Sequence, residues 1–308
     1  MKKVMYYTFS LSVILFSTFA TGCSGNDDDI LEEGSGETVV EGPSIDDVLT
    51  LPSEPSFLGD SIQFTKTFSL AEYSIKEVKV STTQNGHISV LGGYKGQSGV
   101  YIYAKIDDNR GKVSDEQIKN ILDKYYIVES YASGTEIVAT VKENTAVTRE
   151  ADFRNLRITV QVFTPRNVST TLQIARGSII AKNVHGNQHT ATSTSGTIKY
   201  IDSSGKNFTL TSDAGHIGLI NTPATGSIHA KMAKGTIQIA LPKDTKATLS
   251  LESSTRVNAH ILNKSNFQGV NTRTKVEGTL NGGGYELKAI NDLGVINLSW
   301  YDGRGGNY

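Results

Sequence analysis

The chain has 308 residues, of which 37% are hydrophobic and 20% charged, with 30 glycines and one cysteine. Such a length holds one or two domains, and a lone cysteine excludes an internal disulfide framework. The formal net charge of −1 excludes the overall basic balance expected of a nucleic-acid binder.

In chain order, Lys2 and Lys3 precede an apolar stretch from Val4 to Ala20, which ends in Ala20-Thr21-Gly22-Cys23. A basic start, an apolar centre and small residues before a cleavage point read as a secretory signal over residues 1–22. The stretch is diluted by Ser and Thr and falls at or below the length that spans a bilayer. With the cysteine directly behind the small residues, it resembles the bacterial lipobox, which implies cleavage before Cys23 and lipid on its sulfur. The larger aliphatic residue preferred by that motif is replaced here by Ala20. Several acyl chains on one cysteine would make a durable membrane tether; a plain secretory signal is the alternative.

Residues 24–65 hold 11 Asp or Glu and no Lys or Arg. With little apolar surface and strong self-repulsion, residues 23–60 read as an extended acidic tether. Asp27, Asp28 and Asp29, close behind Cys23, resemble the surface-export signal of Bacteroidetes-type lipoproteins. The resemblance implies an outer-membrane lipoprotein facing the exterior; an ordinary linker facing the periplasm is the other reading. Asp60-Ser61-Ile62 matches the short motif on which such bacteria O-glycosylate proteins, marking Ser61 as a candidate. With Lys2, Lys3 and the tether set aside, residues 66–308 hold 28 basic and 20 acidic residues. That surplus can concentrate polyanions.

Folded structure is expected from residue 61 to 308 as one body, with a division near Thr164-Pro165-Arg166 as the alternative. Ile62–Leu70, Ile75–Ser81, Val100–Ile106, Glu136–Val141 and Leu156–Phe163 alternate or are rich in β-branched and aromatic residues, which predicts strands. One helix interrupts them near 114–125. Ser114-Asp115-Glu116-Gln117 is a capping box, and Ile118, Ile121, Leu122 and Tyr125 make one apolar stripe.

The second half is ruled by a repeat. Gly-x-Ile stands at Gly177-Ser178-Ile179, Gly196-Thr197-Ile198, Gly215-His216-Ile217 and Gly235-Thr236-Ile237, spaced by 19, 19 and 20 residues. Earlier and later copies are Gly86-His87-Ile88 and Gly294-Val295-Ile296. Alternating runs lie between, such as Thr190-Ala191-Thr192-Ser193-Thr194. Alternation puts every second side chain on one face, and a recurring glycine lets the chain turn. A fixed period near 20 residues predicts an all-β solenoid, or β-helix, of stacked rungs, regular over residues 177–253, with a short flanking helix. An antiparallel sandwich or meander is the alternative. Ile88, Ile179, Ile198, Ile217, Ile228, Ile237 and Ile296 should form an inward ladder.

Phe68-Ser69-Leu70, Gly86-His87-Ile88-Ser89-Val90, Val160-Gln161-Val162-Phe163-Thr164-Pro165, the ladder and the closing Gly294-Val295-Ile296 follow one another in a familiar order. In this the chain resembles the putative-adhesin domain family of Bacteroidetes-type lipoproteins over roughly residues 60–300. The resemblance implies a β-solenoid and carries no catalytic residues with it.

Chemistry-bearing constellations are sparse. Asp202 and Asp213 are 11 residues apart where strands end, which suits turns better than a catalytic dyad. His185 and His189 are four apart, about 13 Å in an extended chain and too far for one metal ion. No cofactor, metal or catalytic site is read. The expected function is a non-enzymatic surface module that is membrane-anchored and binds an anionic or hydroxyl-rich glycan, with Lys182, Lys199, Lys206, Lys231 and Lys234 carrying the charge. The alternative is an envelope protein with a protein partner; a polysaccharide-active β-helix enzyme is the least supported.

Overall fold

The structure, a computed structural model, describes residues 61–69, 72–106, 113–150 and 154–303. Cys23, Asp27, Asp28 and Asp29 lie outside these residues, and Ser61 is described only as the first backbone position of β1 (Ser61–Ser69).

The repeating unit is one long strand bent in two. β7 (Ser169–Lys182), β8 (Gln188–Ile201), β9 (Gly205–Ile220) and β10 (Ala224–Leu241) pair consecutively and in parallel. Residues before the Gly-x-Ile glycine form a first arm and those after it a second. In the first arm of β8, His189, Ala191 and Ser193 are buried while Thr190, Thr192 and Thr194 are not; in the second, Ile198 and Tyr200 flank the half-buried Lys199. Tyr200 Oη meets Thr170 Oγ1 at 2.7 Å, a contact between a second arm and a first arm. The two arms therefore face one another across a shared interior.

Gly86, Gly177, Gly196, Gly215, Gly235 and Gly294 form one column across six rungs. The four central ones have φ between +118° and +136°, a region that L side chains rarely adopt. A Cβ on Gly196 would lie 1.8 Å from the carbonyl oxygen of Gly177. The glycine is thus required twice, by its own dihedral and by its neighbour's backbone. Next to it, Ile88, Ile179, Ile198, Ile217, Ile237 and Ile296 stand in register, each fully buried. Ile228 is also buried but belongs to the first arm, paired with Phe208 and Leu287. Gly226 lies in a register shift between Ala224 and Ser227, where β10 carries one residue more than β9. That bulge absorbs the extra residue of the 20-residue spacing.

A second column closes each rung. Asn183, Asp202 and Asn221 all have φ between +49° and +59°, the left-handed region that Asn and Asp tolerate best. Their amides donate to Ile201, Ile220 and Ala240 carbonyls of the following rung at 2.9–3.0 Å, so the ladder continues through the turn. The next residue in each turn, Val184, Ser203 or Thr222, is buried. Ser203 and Thr222 hydroxyls donate to the carbonyls of Ile201 and Ile220, which satisfies them inside.

Both ends of the stack are interleaved. β2 (Glu77–Gly92) precedes β5 (Glu136–Glu143) and β6 (Leu156–Thr164) in the chain, yet lies between them and β7. At the far end β15 (Tyr285–Trp300) inserts between β10 and the pair β11 (Ala247–Ser253) and β12 (Arg256–Asn258). Residues 247–258 are therefore displaced one rung from the place that chain order gives them. Antiparallel strands finish the sheet: β3 (Gln97–Ile106) on β6, β1 on β3 and β4 (Tyr126–Ser133) on β5 at one end. At the other, β14 (Lys275–Leu280) pairs β11, and β13 (Phe267–Asn271) pairs β14. The one α-helix described, α1 (Asp115–Tyr125), has its capping box between Ser114 and Gln117 and buries Ile118, Leu122 and Tyr125. Among the described residues no helix is long and apolar enough to cross a membrane.

A polar network lies in the interior of the first rungs. His189 stacks on Phe208 at 4.6 Å between ring centroids. Its Nε2–H donates to the Ser204 carbonyl at 3.1 Å, so in the neutral ring Nδ1 accepts from Thr170 Oγ1 at 3.0 Å, which leaves the Thr170 oxygen to accept from Tyr200. Burial pushes the His189 pKa down to about 4.

Two outcomes follow from these contacts. Gly196→Ala should cost more than about 3 kcal/mol, from strain plus overpacking, whereas Gly134→Ala, with φ +57° but open space around it, should cost about 1 kcal/mol. Equal midpoints in urea for both variants would contradict the close approach. For His189 the folded state disfavours the proton, so its contribution is intact above the unfolded pKa of about 6.5. It is lost as pH falls from there towards 4, by roughly 3 kcal/mol in all. Urea unfolding at pH 7, 5.5 and 4 should show this slope in the wild type and a shallower one in His189→Gln; parallel slopes would remove the assignment.

Candidate functional site

The faces of the solenoid differ in what they present. The outer face of the first arm carries Thr190, Thr192, Thr209 and Thr211, in neighbouring positions of β8 and β9. Two-residue steps are about 6.7 Å along a strand and rungs about 4.8 Å apart, so the four hydroxyls make a regular array. The array is short: Thr171 and Gln173 adjoin it on β7, and His229 and Lys231 on β10.

The five lysines singled out by charge do not form one stripe. Lys231 is on the outer face of the first arm, Lys199 on that of the second, Lys182 at the second arm's end, Lys206 at the start of β9 and Lys234 beside the glycine bend. Chain order alone cannot separate these positions, because the two arms of each rung point in different directions.

One concavity lies along the column of left-handed turns. It is a cleft of about 650 Å³ lined by Tyr94, Arg166, Lys182 and His185, among others, with Asn183, Asp202 and Asn221 along its floor. The floor is braced from within. Asn221 Nδ2 donates to Asp202 Oδ1 at 3.0 Å, and Asn183 Nδ2 donates to the Gly92 carbonyl at 2.9 Å. His185 accepts from Ser204 Oγ at Nδ1, 2.7 Å away, and donates from Nε2 to Asn183 Oδ1 at 3.1 Å. Burial, and then the nearby Arg166 cation, hold the His185 pKa below its usual value against the opposing pull of Asp202. The imidazole is accordingly neutral at pH 7 and acts as a strut.

Tyr94 forms one wall through an edge-on contact with Phe163, 4.8 Å between centroids, and Phe163 in turn meets Tyr101 at 5.3 Å. This aromatic cluster, separate from the solenoid interior, holds the wall rigid. An aromatic wall, two cations and fixed amides can bind a polar, hydroxyl-bearing ligand.

The other residues raised by sequence are dispersed. His189 is inside and His185 in the cleft wall, so the two do not converge. Asp202 sits at a left-handed turn and Asp213 next to the glycine bend, a whole arm apart. His87 and His216, in the x position of Gly-x-Ile, are half-buried, and burial lowers both pKa values. The cleft itself was missed. Its signal was present: Asn or Asp recurs at 183, 202 and 221, with the same 19-residue interval as the glycines.

Solved structures with a similar course of chain include a putative cell adhesion protein from Clostridium sporogenes, 11% identical, covering 78% of this chain and 99% of that one, with a TM-score of 0.45. Another is a putative adhesin from Bacteroides fragilis, 14% identical, covering 77% and 97%, with a TM-score of 0.35. A putative lipid binding protein from Parabacteroides distasonis is 11% identical, covers 77% and 96%, and has a TM-score of 0.27. No curated protein matches. The Toastrack DUF4097 domain matches residues 67–299, which is most of the chain and includes every bent rung, both interleaved strands and the cleft. The chain belongs to the Toastrack DUF4097 family.

Proposed function

We propose that this protein is a non-enzymatic binding module, tethered by lipid at Cys23 and displayed on the outer face of an outer membrane by its acidic segment. Its ligand is a glycan, held in the cleft along the left-handed turns. The observation that carries this reading is the braced floor of Asn183, Asp202 and Asn221 beside Tyr94, Arg166 and Lys182. Fixed amides recognise hydroxyls, an aromatic wall accepts the apolar face of a sugar ring, and the cations favour acidic sugars. A non-catalytic role is supported by the state of the cleft carboxylate, because Asp202 is engaged with Asn221 and held in a strained turn.

One observation favours a second reading, a protein-interaction module of the envelope. β13 ends the sheet, its far edge is open to strand addition, and Val270 on it is 52% exposed.

The anchoring part is tested by labelled fatty acid. The wild type should incorporate label and fractionate with membranes, and Cys23→Ser should do neither; an unlabelled wild type would end the lipoprotein reading. The binding part is tested on a glycan array with the purified full chain. Binding to acidic glycans should fall about tenfold in Lys182→Glu and weaken with salt, since exposed charges are screened over about 10 Å at 0.1 M. Glycan binding indifferent to both would displace the cleft, and none at all would favour the protein-interaction reading.

A further inference from the structure

A second charged concavity lies at the glycine bend near the start of the stack, on a different edge of the rung from the cleft. It measures about 660 Å³, and its lining includes Arg157, Arg176, Asn85, His87, Ser178 and Thr159. No acidic side chain is among its described lining residues. The register explains how these groups come together. Gly86 pairs with Ile158 on β6 and with Gly177 on β7. On one side of this row Asn85 stands opposite Arg176 and next to the rung position of Arg157; on the other, Thr159, His87 and Ser178 are direct neighbours.

The result is two short rows, Arg-Asn-Arg and Thr-His-Ser, running across three rungs with a nearly bare backbone between them. The arginine Cα atoms are two rungs, about 10 Å, apart, and each guanidinium side chain is long enough to reach the middle from its own side. Guanidinium groups match the oxygens of tetrahedral oxyanions with paired hydrogen bonds. His87 Nδ1 is hydrogen-bonded to Ser178 Oγ, which fixes the imidazole and leaves Nε2 as a further polar atom. Arg176 and Arg157 are exposed while His87, Ser178 and Thr159 are half-buried, so two cationic side chains stand over a hydroxyl and imidazole base.

From this array we infer that the glycine-bend pocket binds a tetrahedral oxyanion, a sulfate ester carried on a polysaccharide. Phosphate monoesters share the recognition chemistry, and the experiment separates the two. The inference does not rest on the turn-edge cleft, which uses other residues on another edge of the rung.

The test is isothermal titration of the purified full chain with a sulfated disaccharide, its desulfated form and a sugar phosphate, at constant ionic strength. The sulfated sugar should bind saturably and be competed by inorganic sulfate, while the desulfated form should not bind at this site. Arg176→Gln and Arg157→Gln should each weaken binding about tenfold. Lys231→Gln and Lys288→Gln, both on the outer face of the first arm and in neither concavity, should leave it unchanged. Thermal melts of each variant separate loss of binding from loss of fold. Equal weakening by all four substitutions would mean diffuse electrostatics, and no effect of either arginine change would mean a different site; both results overturn the inference. Tighter binding of the sugar phosphate than of the sulfated sugar overturns its assignment to sulfate esters. Failure of the Lys182→Glu array experiment would leave these outcomes untouched.

Discussion

Everything in this fold depends on how closely six glycine backbones approach one another. Along the bend, a Cβ at each of these positions would lie about 2 Å from a neighbouring carbonyl oxygen, 1.7 Å at Gly86 and 2.1 Å at Gly235. No side chain fits there, so the column marks where each rung must fold over. Once the bend is set, the strand period decides the rest: Ile one step inside becomes core, and the residue between glycine and isoleucine stays half-exposed. The αL column of Asn183, Asp202 and Asn221 performs the complementary turn, and the two columns together enclose the interior from both sides. The buried hydroxyls of Thr170, Ser203 and Thr222 and the neutral His189 are tolerated inside because each has a partner, which removes most of the cost of burying a polar group.

Interleaving gives the stack its ends. A plain solenoid would leave its first and last rungs as open templates for aggregation. Here β2 and β15 are drawn from far along the chain to lie one rung inside each end, and antiparallel strands lie outside them. β15, the last strand described, is thereby interior and hydrogen-bonded on both sides. Such closure requires contacts between distant parts of the sequence, so folding should be slow compared with that of locally connected repeats.

The glycine ladder, the period and the capped helix were legible because each leaves a local mark: a residue type at fixed spacing, or a serine three residues before a glutamine. Ile228 shows the limit of that reading. Gly226-Ser227-Ile228 has the same letters as the bend triplets, yet it sits in a bulge on the first arm; only pairing with Phe208 reveals this. The insertion of β15 between β10 and β11 was invisible for a related reason, since its Gly-x-Ile names the kind of rung without naming its neighbours. The sites were less legible still. Lys182 and Lys199 look adjacent to Lys231 in a charge count, but arm and face separate them. Asn85 and Arg176 are 91 positions apart, and with Arg157 they become neighbours only through the interleaved β2.

One column of glycine bends runs from β2 through β15, with the last strand described inside the stack. Amide hydrogen exchange tests this directly. Peptides covering residues 285–300 should be as slow to exchange as those covering 188–201, because both would open only with the whole stack. Rapid exchange of residues 285–300 beside slow exchange of residues 247–253 would place β15 at an edge and contradict its insertion between β10 and β11.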